Sequence, residues 1–207
     1  FILLALAMSL ASVGVARTAL IDHENAPAGE RKVLANVPAD LIPSGSNLWK
    51  CSCDSDGCWP GCFTLASASV LKYWAQREFP NLWAFRTTEE QNNGLIDLRA
   101  RFPNLLCFGN GSWNGQPGDS GYDASDVAVG LRQWATERGY RFTIKAISSP
   151  TFEQIVAEID AGHPVIGAFG QSPWGSHAGT ILGYDTTRSH RTMIVRPNLP
   201  DQKDSEL

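Results

Sequence analysis

The sequence has no surplus of positive charge: 17 Lys and Arg stand against 21 Asp and Glu, for a formal net charge of −4. Such a chain lacks the basic footprint that grips phosphate backbones, so nucleic acid is excluded as a partner class. The 19 glycines and 12 prolines follow no strict period, which excludes collagen-like and repeat architectures. Charged residues are only 18% against 43% hydrophobic ones. That apolar content suffices for a sizeable core and excludes intrinsic disorder. Beyond the first twenty residues there is no second long apolar run, so no stable membrane anchor is expected there. A length of 207 residues suits one domain, or one domain plus a processed leader.

The leader is the first thing that is present. Residues 1–16, FILLALAMSLASVGVA, carry no charge. The run falls short of the about 20 residues a comfortable membrane span needs. Gly14-Val15-Ala16 sets small residues at the −3 and −1 positions of a cleavage site. The reading is a signal peptide over 1–16, incomplete on its N-terminal side because the sequence opens on Phe1 without a basic region. The expected mature protein is soluble and secreted or periplasmic. A buried N-terminal helix is the alternative.

Export bears on the five cysteines, Cys51, Cys53, Cys58, Cys62 and Cys107. An oxidising compartment favours disulfides, and an odd count leaves one thiol over. Four of the five crowd into twelve residues, yet their C-x-C-x4-C-x3-C spacing lacks the paired C-x2-C knuckles of common zinc sites. No metal and no cofactor is expected. Asp119, Asp123 and Asp126 in DSGYDASD have the composition of a calcium loop, but Asp123 as a helix cap explains the run more simply.

Along the chain, 17–50 contains Pro27, Pro38 and Pro43 with scattered Gly, Ser and Asn, and reads as an extended approach segment. Residues 51–207 then form one domain. In CFTLASASVLKYWAQ the apolar positions Phe63, Ala66, Val70 and Tyr73 or Trp74 recur at helical spacing, so a helix is expected from about Cys62 to before Pro80. Further helices are expected over Glu89–Arg101, Ala124–Arg138 and Thr151–Ala161, the last two followed by Gly139 and Gly162. Residues 102–122 read as a long loop. YRFTIKAI, PVIGAFG, HAGTILGYD and TMIVRP read as strands. Helices first and strands last predict an α+β fold with a helical half and an antiparallel sheet half.

Cys62 stands where the strongest helix begins. Free backbone N–H groups and the helix dipole favour a negative charge at that end, which lowers a thiol pKa. His177 opens a strand of the sheet half, in GSHAGTILGYD. A cysteine on a helix and a histidine on a sheet supply a nucleophile and a proton carrier for acyl chemistry. The other histidines fit this role less well. His23 lies in the approach segment, His163 in a helix-to-strand turn, and His190 in a polar turn. Trp74, Trp83 and Trp134 are expected in the core. Trp59, Trp113 and Trp174 lie in loops beside the motifs, and Trp174, just before His177, is a candidate for lining a cleft.

GCFTLASASVLKYW resembles the active-site helix of papain-like cysteine peptidases, most nearly that of the bacteriocin-processing, leader-peptidase-type branch, the C39-like peptidases. DAGHPVIGAFG and the following GSHAGTILGYD resemble that group's Gly-x-Pro-Val strand and its Gly-His block ending in Gly-Tyr. The resemblance implies a papain-like fold, with the active-site helix in an N-terminal helical half and an antiparallel sheet in the C-terminal half. It assigns Cys62 as nucleophile and His177 as general base and acid. Asn198, in RPNLP, is the nearest match to the residue that orients the imidazole. Asp185 is the other candidate for that place, its simpler role being a turn residue. The resemblance also implies a disulfide near the cleft, with Cys58 and Cys107 as candidates; Cys51 and Cys53 stay unassigned.

Three departures stand out. The group has Gln six residues before the cysteine, in the oxyanion hole, where this chain has Asp56. A carboxylate repels an oxyanion rather than stabilising it. The Cys62 N–H remains as a donor, with Ser55, Asn47 or the Trp59 indole as supplements. Phe63-Thr64 replace Gly-Pro, and the chain ends soon after Asn198. The expectation is a secreted, monomeric thiol hydrolase acting on a peptide or protein through an acyl-enzyme. The alternatives are a degenerate peptide-binding domain on the same scaffold, an acyl transferase using the same pair, and an exported structural domain in which Cys62 is bridged.

Overall fold

The structure is a computed structural model of the chain. It describes residues 2–7, 29–42, 46, 48, 53–54, 57–58, 60–102, 124–169 and 177–207; 2–7, 53–54, 57–58 and 124 are described by their backbone. In chain order the elements are β1 (Ile2–Ala7), β2 (Arg31–Val33), β3 (Cys53–Asp54), β4 (Gly57–Cys58), α1 (Cys62–Ala75), a 3₁₀ turn (Pro80–Trp83), α2 (Thr88–Arg99) and α3 (Ala124–Glu137). There follow β5 (Thr143–Ser148), α4 (Phe152–Asp160), β6 (Val165–Phe169), β7 (His177–Asp185), β8 (Thr192–Arg196) and β9 (Ser205–Glu206). This is the α+β arrangement expected from the sequence.

The expected helices form, and local chemistry sets their ends. Thr87 and Glu90 make a reciprocal capping box at the start of α2, and Thr151 and Gln154 make another at α4. Gly139 and Gly162 adopt left-handed backbone after α3 and α4, the conformation that glycine reaches without a Cβ penalty. In YRFTIKAI the strand starts three residues in, at Thr143, and runs one residue past the motif to Ser148.

Seven strands form one antiparallel sheet in the order β5-β1-β6-β7-β8-β9, with β2 joined to β7. β6 pairs with the first half of β7, from Phe169 opposite His177 to Val165 opposite Ile181. β2 takes over the same edge, with Val33 opposite Gly183 and Arg31 opposite Asp185. The register between β7 and β8 shifts between Ile181 and Gly183, a bulge that adds a residue to one strand. Gly183 is required there, because a Cβ would sit 2.3 Å from the Lys32 carbonyl oxygen of β2.

Two apolar clusters flank the sheet. On one side α1, α2 and α3 bury Leu65, Leu71, Leu95, Leu131 and Trp134 against Ile166, Ala178 and Leu182. On the other, α4 buries Ile155, Val156 and Ile159 against Val165, Ile181, Tyr184 and Val195. Trp74, Trp83 and Trp134 are all buried, as expected.

The N-terminal part of the structure adds two features to the sequence reading. The segment 17–50 is more than an approach: it supplies β2 to the sheet, and Val37, Leu41 and Leu48 to the core. Three residues of strand are too short to show a period in sequence. Residues 2–7, inside the stretch read as a leader, form β1 and pair with β5 on one side and β6 on the other. A chain cut after Ala16 would lose that strand. No helix among the described residues is long and apolar enough to cross a membrane.

Candidate active site

The site is built from the first turn of α1 and the first residues of β7. Gly61 precedes α1 with φ 85° and ψ 165°, and no side chain caps the helix. That backbone region belongs essentially to glycine. The first turn also carries no acidic residue, so its N–H groups are not neutralised by a carboxylate. Thr64 turns back to donate to the Pro60 carbonyl at 2.7 Å. Cys62, first residue of the helix, carries a free thiol. The reading in which Cys62 is bridged is therefore set aside.

The backbone N–H groups of Ala178, Phe63 and Cys62 itself face the thiol's surroundings and act to lower its pKa. The packing of Cys62 against the cluster that contains Ala178 brings the start of β7, and with it the His177–Ala178 peptide, against the N-terminus of α1. One turn further along, Thr180 Oγ1 donates to the Ala66 carbonyl at 3.5 Å. Gly179 allows this part of β7 to lie close to β8: a Cβ there would stand 2.7 Å from the Arg196 carbonyl oxygen.

Burial is the largest influence on the thiol and raises its pKa; the three N–H groups oppose it and do not overcome it. The lowering expected from the helix terminus is thus present but outweighed by desolvation. His177 is buried, which lowers its pKa. Its Nε2 donates to the main-chain carbonyl of Pro197, which acts in the opposite direction.

Asn198, expected to hold the ring, has its side chain elsewhere. Its Oδ1 accepts from Ser69 Oγ at 3.1 Å, and its Nδ2 donates to Thr180 Oγ1 at 3.1 Å and to the Arg196 carbonyl at 3.4 Å. The residue beside it, Pro197, supplies the acceptor for the imidazole. No side-chain pattern announces a carbonyl in that role, which is why sequence reasoning missed it. Ser69 and Thr180 were missed too, since a serine in an Ala-rich helix and a threonine in a strand carry no distinctive spacing.

Asp185 lies at the far end of β7, eight residues from His177, about 26 Å away at the usual strand rise. There it accepts from Arg31 at 2.8 Å and from the backbone and side chain of Thr187. It is a turn residue, not a partner of the imidazole. His163 bonds Glu158 at 2.8 Å, and His190 is exposed. Asp56, Trp59, Trp174, Cys107, Asn47 and Ser55 lie outside the described residues. Cys58 is opposite Cys53 in the short β3–β4 ladder. Among the described residues no cluster of His, Cys, Asp and Glu is arranged to hold a metal ion; Asp119 and Asp123 are outside them.

A family model, described as Peptidase_C39 like family, matches residues 57–205. The chain belongs to the Peptidase_C39 like family. The match spans α1 through β9 and includes Cys62, His177, Pro197 and Asn198, so the papain-like fold and the cysteine-peptidase type of domain are established. No curated protein and no solved structure matches the sequence.

Proposed function

We propose that this protein is a thiol hydrolase that cleaves peptide or amide bonds through an acyl-enzyme, with Cys62 as nucleophile and His177 as proton carrier. The observation that carries the reading is the packing of Cys62, at the start of α1, against the buried cluster that contains Ala178, the residue after His177. With Nε2–H committed to the Pro197 carbonyl, Nδ1 holds the lone pair that takes the thiol proton. The sulfur attacks the substrate carbonyl, and the C=O electron pair moves onto oxygen. Collapse breaks the C–N bond, and the imidazolium returns its proton to the leaving amine. Water, deprotonated by the same nitrogen, then releases the acid and restores the thiol. Main-chain N–H groups in the first turn of α1 are the donors for the oxyanion.

Both groups are shifted toward their neutral forms: the thiol upward and the imidazole downward. The proton therefore moves as the sulfur attacks, rather than resting on the ring beforehand. A neutral pair, together with Asp56 at the position of the group's glutamine, favours a second reading, a peptide-binding domain that does not cut. A peptide library assayed with the wild type and Cys62→Ala separates the two. Hydrolysis lost in the variant supports the enzyme. Binding without cleavage in both proteins supports the binding domain. Export is part of the proposal, supported by the uncharged leader and its Gly14-Val15-Ala16 site.

A further inference from the structure

We propose that the third member of the site is the main-chain carbonyl of Pro197, and that Asn198, Ser69 and Thr180 are positioning residues that aim it at His177. The proposal rests on the thiol-hydrolase reading and deepens it. Both polar ends of the Asn198 side chain are taken up by partners other than the imidazole. The ring instead donates from Nε2 to the preceding residue's carbonyl. A carbonyl fixes the ring and its tautomer as a carboxylate or amide oxygen does, but it adds no charge.

The direction of that carbonyl depends on the next residue. Asn198 has φ 54°, the left-handed region, where Asn is among the few side chains readily found. Hydrogen bonds hold it there in one continuous chain. Ser69 Oγ donates to Asn198 Oδ1 at 3.1 Å, Asn198 Nδ2 to Thr180 Oγ1 at 3.1 Å, and Thr180 Oγ1 to the Ala66 carbonyl at 3.5 Å. The chain begins and ends on α1, the helix that carries Cys62. All three side chains are buried, so water does not compete for these bonds. The nucleophile's helix and the acceptor of the imidazole are thereby fixed to each other through Ser69, Asn198 and Thr180.

Two measurements test this. Nitrogen NMR of the His177 ring, in the Cys62→Ala protein near neutral pH, should show a neutral imidazole with its proton on Nε2. A proton on Nδ1, or a charged ring, overturns the proposal whether or not the thiol is reactive. The rate of Cys62 alkylation by iodoacetamide across pH is then compared in wild type, Ser69→Ala and Asn198→Gly. Glycine keeps the left-handed backbone and removes the brace. Both variants should react about tenfold more slowly near neutral pH, the loss expected for one buried hydrogen bond. In both, the inflection belonging to His177 should move to lower pH, because the contact that opposes its burial is loosened. Ser69→Ala matching the wild type while Asn198→Gly loses reactivity would assign the role to the Asn198 side chain and overturn the proposal. A wild-type thiol that never reacts would instead defeat the hydrolase reading, with the ring tautomer still deciding this one.

Discussion

Cys62, at the start of α1, packs against the buried cluster that contains Ala178, the residue after His177. The two residues are far apart in the chain and come from different halves of the fold, so this packing measures how closely α1 is seated on β7. Disturbing that seating should be felt first at the thiol. Gly61→Ala places a Cβ in a backbone region that costs of order 1–3 kcal/mol for other residues. Alkylation of Cys62 is expected to slow in that variant, even where circular dichroism shows the helices intact.

The pH dependence follows from the directions of the two shifts. Burial lifts the thiol above its ordinary value near 9 and drops the imidazole below 6.5. At neutral pH the resting pair is therefore uncharged. The rate of iodoacetamide labelling should climb through pH 8 and continue beyond 9. A flat profile from weakly acidic to neutral pH would signal a thiolate–imidazolium pair at rest.

Acid stability should depend on Asp185. Its carboxyl is held down at about 2, first by the Thr187 hydroxyl, then by the Thr187 N–H and by Arg31. A carboxylate whose folded pKa is depressed stabilises the fold above its unfolded pKa of about 4, and that stability disappears as pH falls through the folded value. Denaturant midpoints measured from pH 5 to pH 2 should fall less steeply for Asp185→Asn than for wild type.

Trp134 has no exposed surface. Its Nε1 donates to the Leu82 carbonyl at 2.8 Å, and the Arg138 guanidinium lies 3.2 Å above its ring. Trp134→Ala should cost about 3–5 kcal/mol in urea unfolding, the range for emptying a large aromatic site.

Residues 1–16 provide a separate test of export. Processing after Ala16 predicts an exported chain whose mass begins at Arg17. Recovery of exported protein that retains β1 between β5 and β6 would contradict processing at that site.

Much of this fold was legible because its signals are local. The apolar spacing in α1 and the glycines after α3 and α4 each act within a few residues. The β-branched and apolar residues of HAGTILGYD likewise announce a strand, which the structure buries along its whole length. The role of 31–33 was not legible, since three residues become a strand only when the edge of β7 beyond Ile181 receives them. At the site, Cys62 and His177 were readable from residue type and position. The acceptor for the ring was not, because it is a backbone atom whose direction depends on the left-handed Asn198 and on two hydroxyls, one distant in sequence. The depressed thiol pKa inferred from the helix end also failed, because local sequence does not report how deeply a sulfur is desolvated.

The central claim is that Cys62 and His177 act together. It is tested most directly by intact-mass kinetics with a peptidyl electrophile selective for thiols, comparing wild type with His177→Ala at fixed pH and equal folded fraction. The account predicts a single adduct on Cys62 that forms at least about a hundredfold more slowly without the imidazole. Equal rates in the two proteins would contradict it.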